Sequence, residues 1–175
     1  TASLRYDKDE KFGDHFSPKV YGVWTLNDNW IIKGGVSTGY KTPALRATVA
    51  GWGQATGGGQ SSGMIVGNPD LKPETSVNYE ASINWDNNED LDAGFTVFNS
   101  EFKDKITEIR TCQGDSGSMN CPWLGQNFDF VSQRINVDKA NMRGIEATFG
   151  WAITPDVRWA TNYTFTDTEQ KSGAF

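Results

Sequence analysis

Apolar and polar residues alternate with a period of two along most of the chain, the pattern of β-strands with one face in a nonpolar environment. The clearest run is 75–86, where Val77, Tyr79, Ala81, Ile83 and Trp85 oppose Ser76, Asn78, Glu80, Ser82 and Asn84. Residues 30–40 set Trp30, Ile32, Val36 and Tyr40 against Lys33, Gly35, Ser37 and Gly39. Segment 157–166 sets Val157, Trp159, Tyr163 and Phe165 against Arg158, Asn162, Thr164 and Thr166. Segment 144–151 sets Ile145, Ala147, Phe149 and Trp151 against Gly144, Glu146, Thr148 and Gly150. Further strands are expected at 16–26 and 91–110, with a partial one at 1–7. No segment has a helical period.

The connections alternate in length. Tight turns are expected at 26–29, 86–90 and 153–156, and long loops at 41–74 and 111–134. Short periplasmic turns and long extracellular loops are the rhythm of an outer-membrane barrel. Trp24, Trp30, Trp85, Trp151 and Trp159 all lie near the short turns, where amphipathic rings would form a belt at the membrane boundary. Trp30 to Tyr40 rises roughly 23 Å at about 3.3 Å per step and a tilt near 45°, close to the apolar band of such barrels at about 25 Å. The fold class is therefore all-β, an antiparallel transmembrane β-barrel wall of about seven strands. A bacterial barrel has about eight or more strands in even number, and an open lipid-facing sheet leaves bare edges. The chain reads as part of a barrel. Residues 169–174 do not alternate, so Phe175 is expected within a loop.

Composition agrees. Aromatics make up 13 % of the 175 residues and glycine contributes 19, much aromatic mass with little Leu or Ile to surround it. No run of about 18 apolar residues exists to form a transmembrane helix, and residues 1–6 read as mid-strand, with no signal peptide. A net charge of −6 disfavours nucleic acid as a partner. Cys112 and Cys121 lie close together in a Gly/Ser/Asp-rich stretch, which predicts a disulfide and an oxidising compartment. No metal site is expected: His15, the only histidine, is remote from both cysteines, and Asp7, Asp9 and Asp14 read as solvated loop charge rather than a calcium site.

Three stretches resemble TonB-dependent receptors, in particular the catecholate and colicin I receptor branch. Gly39-Tyr40-Lys41-Thr42-Pro43-Ala44-Leu45 is similar to the family's aromatic-Lys-x-Pro-x-Leu segment. Gly67-Asn68-Pro69-Asp70-Leu71-Lys72-Pro73-Glu74-Thr75 is similar to its NPDLKPE signature. Asn136-Val137-Asp138-Lys139-Ala140 with Gly144-Ile145-Glu146 resembles its N-x-x-K-A-x-x-x-G-x-E strand. The second motif also has a physical reading. Pro69 and Pro73 withhold amide donors, Gly67 and Asn68 form turns, and Glu74 is placed to accept hydrogen bonds where the chain re-enters the sheet. Its expected role is structural.

The resemblance implies a barrel of about 22 strands with a plugged lumen, in the outer membrane of a Gram-negative bacterium. It implies active import of a ferric siderophore, which is cargo rather than cofactor, powered by the TonB complex through a plug that lies outside residues 1–175. Outer-membrane lipid and lipopolysaccharide would surround the wall, and colicin or phage would find the loops exposed. Other readings are import of cobalamin, haem or a carbohydrate, or a passive porin. No nucleophile–base set suggests an enzyme. A ferric catecholate is a large anion with aromatic faces, which Arg can pair with and stack on and Trp can cover. Arg46, Trp52 and Gln54 in the first long loop, and Arg110, Trp123 and Arg134 in or beside the second, are the candidate contacts. The stretch 51–63, rich in Gly and Ser, is expected to be too flexible to make a rigid pocket alone.

Overall fold

The computed structural model describes residues 1–59 and 61–170. Seven long strands carry it: β1 (Ala2–Asp9), β2 (Gly13–Asn27), β3 (Trp30–Lys41), β6 (Glu74–Asp86), β7 (Leu91–Gln113), β10 (Phe130–Thr154) and β11 (Val157–Gln170). Four short ones, β4 (Gly53–Thr56), β5 (Gly63–Val66), β8 (Cys121–Trp123) and β9 (Gln126–Phe128), lie in the two long connections with a 3-10 turn at Leu45–Thr48. The main sheet runs β1-β2-β3-β6-β7-β10-β5-β4, and β11 also pairs with β10. All seven expected strands are present. The last reaches Gln170, so residues 169 and 170 belong to a strand and not a loop; the expectation for Phe175 lies outside the described residues.

Residues 1–40, 75–102 and 140–170 form a wall unit. Three of its tight turns are made by Asn and Asp side chains that bond their own backbone. Asn27 Oδ1 accepts the amides of Asn29 and Trp30 at 2.9 and 3.0 Å. Asn87 Oδ1 accepts those of Glu89, Asp90 and Leu91. Adjacent turns are then bonded to each other: Asp86 N donates to Asn29 O, and Ala152 N to Asp90 O. The first hairpin departs from the expected rhythm. Glu10 to Phe12 close it tightly, with Asp9 Oδ1 accepting the amides of Lys11 and Phe12, so this connection at the loop end is short.

The turn-to-turn bonds put Trp30, Trp85, Trp151 and Trp159 at one level. Trp151 pairs directly with Trp159, the rings of Trp30 and Trp85 are 6.3 Å apart, and Trp151 Nε1 donates to Asp90 in the neighbouring turn. Trp24 stands one side-chain level higher, opposite Ile32. The apolar rows are bare: Trp24 is 67 %, Tyr163 59 % and Phe165 54 % exposed. Such a contiguous apolar face requires a nonpolar medium to cover it. A hollow of ≈ 380 Å³ has a mixed lining that includes Lys19, Tyr21, Glu80, Glu146, Phe98 and Met142. Tyr21 donates to Glu80 at 3.2 Å, and Arg158 pairs with Asp92.

Tyr40 does not continue the row of Trp30, Ile32 and Val36. Its ring stacks on His15 with centroids 4.1 Å apart. The regular β2–β3 register runs from Asn27 only to Lys19 opposite Ser37. It ends beside Pro18, which has no amide to donate, so Tyr40 lies beyond the regular β2–β3 register.

Candidate functional site

Residues 41–74 and 103–139 form a second unit, the loop unit, which holds the candidate contacts. The sequence pattern places most of both segments in loops; 103–139 is largely strand, while 41–74 holds two four-residue strands and a 3-10 turn. Gly53–Thr56 and Gly63–Val66 make an antiparallel hairpin, and Gly63–Val66 pairs in parallel with Phe130–Gln133. Within the stretch 51–63, Gly53–Thr56 and Gly63 lie in this hairpin, whose second strand is paired to β10; backbone pairing does not need side chains.

The parallel register sorts the unit into two faces. One carries Gly53, Met64, Val66 and Val131, packed with Phe128, Cys112, Cys121 and Trp123. A Cβ on Gly53 would fall into the Trp123 ring, so that ring is seated on the hairpin. The other face carries Gln54, Gly63, Phe130 and Ser132. The Phe130 ring covers Gly63, and the Arg110 guanidinium lies 3.4 Å from its centroid.

The six candidates therefore divide. Arg46, exposed on the 3-10 turn, sits with its guanidinium 5.7 Å from the Trp52 ring. Trp123 is half-buried against the first face, while Gln54 and Arg110 share the second. Arg134 is half-buried, and its carbonyl accepts Asn68 Nδ2 at 2.9 Å. Among the described residues no carboxylate pairs with Arg46 or Arg110. The unit as a whole is not acidic: these segments hold eight of the chain's 16 Lys and Arg but seven of its 22 Asp and Glu.

The motif residues serve as closures. Glu74 Oε1 accepts the Ile106 amide at 2.7 Å and its other oxygen meets Lys41 at 3.4 Å, fulfilling the hydrogen-bonding role read from the sequence. Lys72 N donates to Asn136 Oδ1, and Asn136 Nδ2 donates back to Lys72 O and to Asp104 O. Two of the three motifs are thus bonded to each other.

Cys112 and Cys121 are disulfide-bonded, as expected, with Cα atoms 5.7 Å apart. Closing so short a loop contributes roughly 2–3 kcal/mol in the chain-entropy model. The double replacement Cys112→Ser, Cys121→Ser should lower the stability of the loop unit by that amount and speed hydrogen exchange in 112–121. Exchange in strand 75–86 should not change.

Asp129 escaped the sequence reading. It is 1 % exposed. Its Oδ2 accepts Ser62 N at 2.8 Å and its Oδ1 accepts Met119 N at 2.9 Å. Amide hydrogen bonds, that of Ser62 first and then that of Met119, hold its carboxyl below the ordinary carboxylate range against the opposing cost of burial. A lowered folded value means the contribution is complete above the unfolded pKa and lost as pH falls through the folded one. Acrylamide quenching of Trp123, read as wild type minus Trp123→Phe, should stay flat from neutral pH to about 5. It should rise only below roughly pH 4.

The family described as "TonB dependent receptor-like, beta-barrel" matches residues 1–175. The iron-regulated outer membrane virulence protein of Vibrio cholerae is 45 % identical over 171 residues, covering 98 % of this chain and 25 % of that protein. The ferric enterobactin receptor of Pseudomonas aeruginosa is 31 % identical over 174 residues, covering 94 % of this chain and 22 % of that protein. The solved siderophore receptor PirA from Pseudomonas aeruginosa superposes with a TM-score of 0.80 at 28 % identity, over 97 % of this chain and 31 % of that one. The P. aeruginosa ferric enterobactin receptor, solved as a mutant in complex with enterobactin, gives 0.68 at 27 % identity, over 93 % and 24 %. The chain spans about a quarter of the length of the curated relatives it matches. Alternating strands, Asx-closed turns, a tryptophan level and the bonded motifs thus meet in one assignment: the chain belongs to the TonB-dependent receptor β-barrel family, a family of receptors and transporters of the Gram-negative outer membrane.

Proposed function

We propose that the protein to which this chain belongs imports ferric siderophores by TonB-dependent active transport, with the loop unit meeting the ligand and the wall unit forming part of the barrel. The observation that carries the reading is Arg46, exposed beside the Trp52 ring with no acidic partner among the described residues. A guanidinium held at an aromatic ring offers a charge for catecholate oxygens and a flat surface for the catechol ring. Relatives named as siderophore receptors point the same way. No catalytic step is involved. The wall would contact outer-membrane lipid and lipopolysaccharide, a plug would couple the barrel to TonB, and the loop unit would be open to colicin or phage.

The test is uptake of radiolabelled ferric enterobactin by iron-starved cells that carry the full-length gene as their only siderophore receptor. TonB-dependent uptake supports the proposal. A vitamin B12 transporter of Photobacterium profundum is 26 % identical over 169 residues, so cobalamin is the competing cargo. Uptake of cobalamin without any ferric siderophore would overturn the iron reading, and uptake independent of TonB would indicate a passive pore.

A further inference from the structure

Asp129 joins two segments far apart in sequence. Ser62, immediately before β5, gives its amide to the carboxylate, and its carbonyl accepts the Asp129 amide at 2.9 Å. These reciprocal bonds span 67 positions and sit next to the first pair of the parallel ladder, Gly63 opposite Phe130. On the other side, Met119 N donates to the second carboxylate oxygen, and the Asp129 carbonyl accepts Gly114 N at 2.7 Å. Each oxygen serves a different segment. Among the described residues its partners are amides and a hydroxyl. Among the described residues no cation pairs with the carboxylate, and Asn cannot replace it without turning an NH2 group toward an amide donor.

A continuous set of bonds runs from this clasp to Arg46. β5 ends at Val66; Gly67 N then donates to Trp52 O at 2.8 Å and Asn68 N to Ala47 O at 2.7 Å. Trp52 N in turn donates to Val49 O, and Val49 N to Arg46 O. Phe130, the seat of Arg110, follows Asp129 directly. Resting on the function proposed above, we infer that Asp129 is a positioning residue for ligand capture: its carboxylate fixes the hairpin and thereby holds Arg46 at Trp52 and Arg110 at Phe130.

The experiment uses the full-length receptor, as wild type, Asp129→Ala and Asp129→Asn, each with and without Arg46→Ala. Hydrogen exchange in 53–66 and 114–121 should quicken by about tenfold or more in Asp129→Ala, the scale of a lost buried hydrogen bond to a charge. Exchange in 75–86 should not move. Asp129→Asn keeps one acceptor and should free one segment more than the other; it also serves if Asp129→Ala fails to assemble. Ferric enterobactin binding should weaken about tenfold in Asp129→Ala, and by less when Arg46 is already Ala, because one of the two contacts that Asp129 holds is then already gone. Unchanged exchange overturns the clasp. Fully multiplicative effects of Asp129→Ala and Arg46→Ala overturn the positioning of Arg46, since a general loss of stability acts independently of Arg46. If the wild type binds no ferric enterobactin, the proposed function fails for that ligand, and exchange in 53–66 still decides whether Asp129 holds the hairpin.

Discussion

Gly35→Val should abolish most assembled barrel in the outer membrane, whereas Gly22→Ala should leave it near the wild-type level. The two glycines occupy neighbouring strands and look alike in sequence. Gly22 has open space: a Cβ there would come no closer than 3.9 Å, to Gly34 O. Gly35 pairs with Tyr21, and a Cβ on it would collide with the carbonyl oxygen of Val20 and lie 2.9 Å from Tyr21 Cα. These are backbone atoms and cannot turn aside. The same Cβ would lie 2.6 Å from Tyr21 Cδ2, on the side chain that reaches Glu80. An aromatic ring lying over a strand glycine restores the packing the glycine lacks, so a valine side chain at this position would both unseat the ring and shift the ladder. Overpacking of this kind costs about 1–3 kcal/mol, and loss of the Tyr21–Glu80 hydrogen bond adds about 1 kcal/mol or more. The heat-modifiable band of folded barrel on a semi-native gel measures the outcome. Equal yields of both variants would show that the approach of β2 to β3 tolerates a side chain.

Gly35 illustrates what sequence could and could not supply. Its polar-row position followed from alternation, but its close approach to Val20 depends on a register that alternation does not encode. The seven wall strands were legible because each is long and has one apolar face. The turns at 26–29 and 86–90 were legible, and Asn27 and Asn87 carry acceptors where each leaves amides free; the tight turn closed by Asp9 was not, because acidic residues on both sides of it read as a solvated loop. The disulfide was legible from two cysteines nine positions apart. The hairpin in 53–66 was hidden. Its strands are four residues each, too short for a period, and its stability comes from a partner strand beginning at Phe130. Asp129 was hidden for a similar reason: it is one of 22 acidic residues, and only folding brings Ser62 and Met119 to it. Gln54, Arg110 and Trp123 were chosen by residue type, and type does not tell which face of the small sheet each one takes.

Arg46→Glu in the full-length receptor should weaken ferric-siderophore binding by about 3 kcal/mol or more, over a hundredfold, and Arg46→Ala by about 1–3 kcal/mol. The graded pair follows from charge. Alanine removes a donor and leaves Trp52 as a surface; glutamate puts a like charge beside an anionic ligand at the same place. The local field makes the difference large. The loop unit is close to neutral while the whole chain carries −6, so a single reversal there moves the unit from mild attraction to repulsion. Arg46 lies on an exposed 3-10 turn, and its neighbours Ala47 and Thr48 make the buried contacts. Folding should therefore be untouched, as judged by surface expression and the heat-modifiable band. The loss should be greater at low ionic strength, because an exposed charge is screened by salt. A salt-independent loss would assign Arg46 to shape rather than charge. Binding equal to wild type in Arg46→Glu would remove Arg46 from the ligand site altogether and shift the search to Gln54 and Arg110 on the Phe130 face.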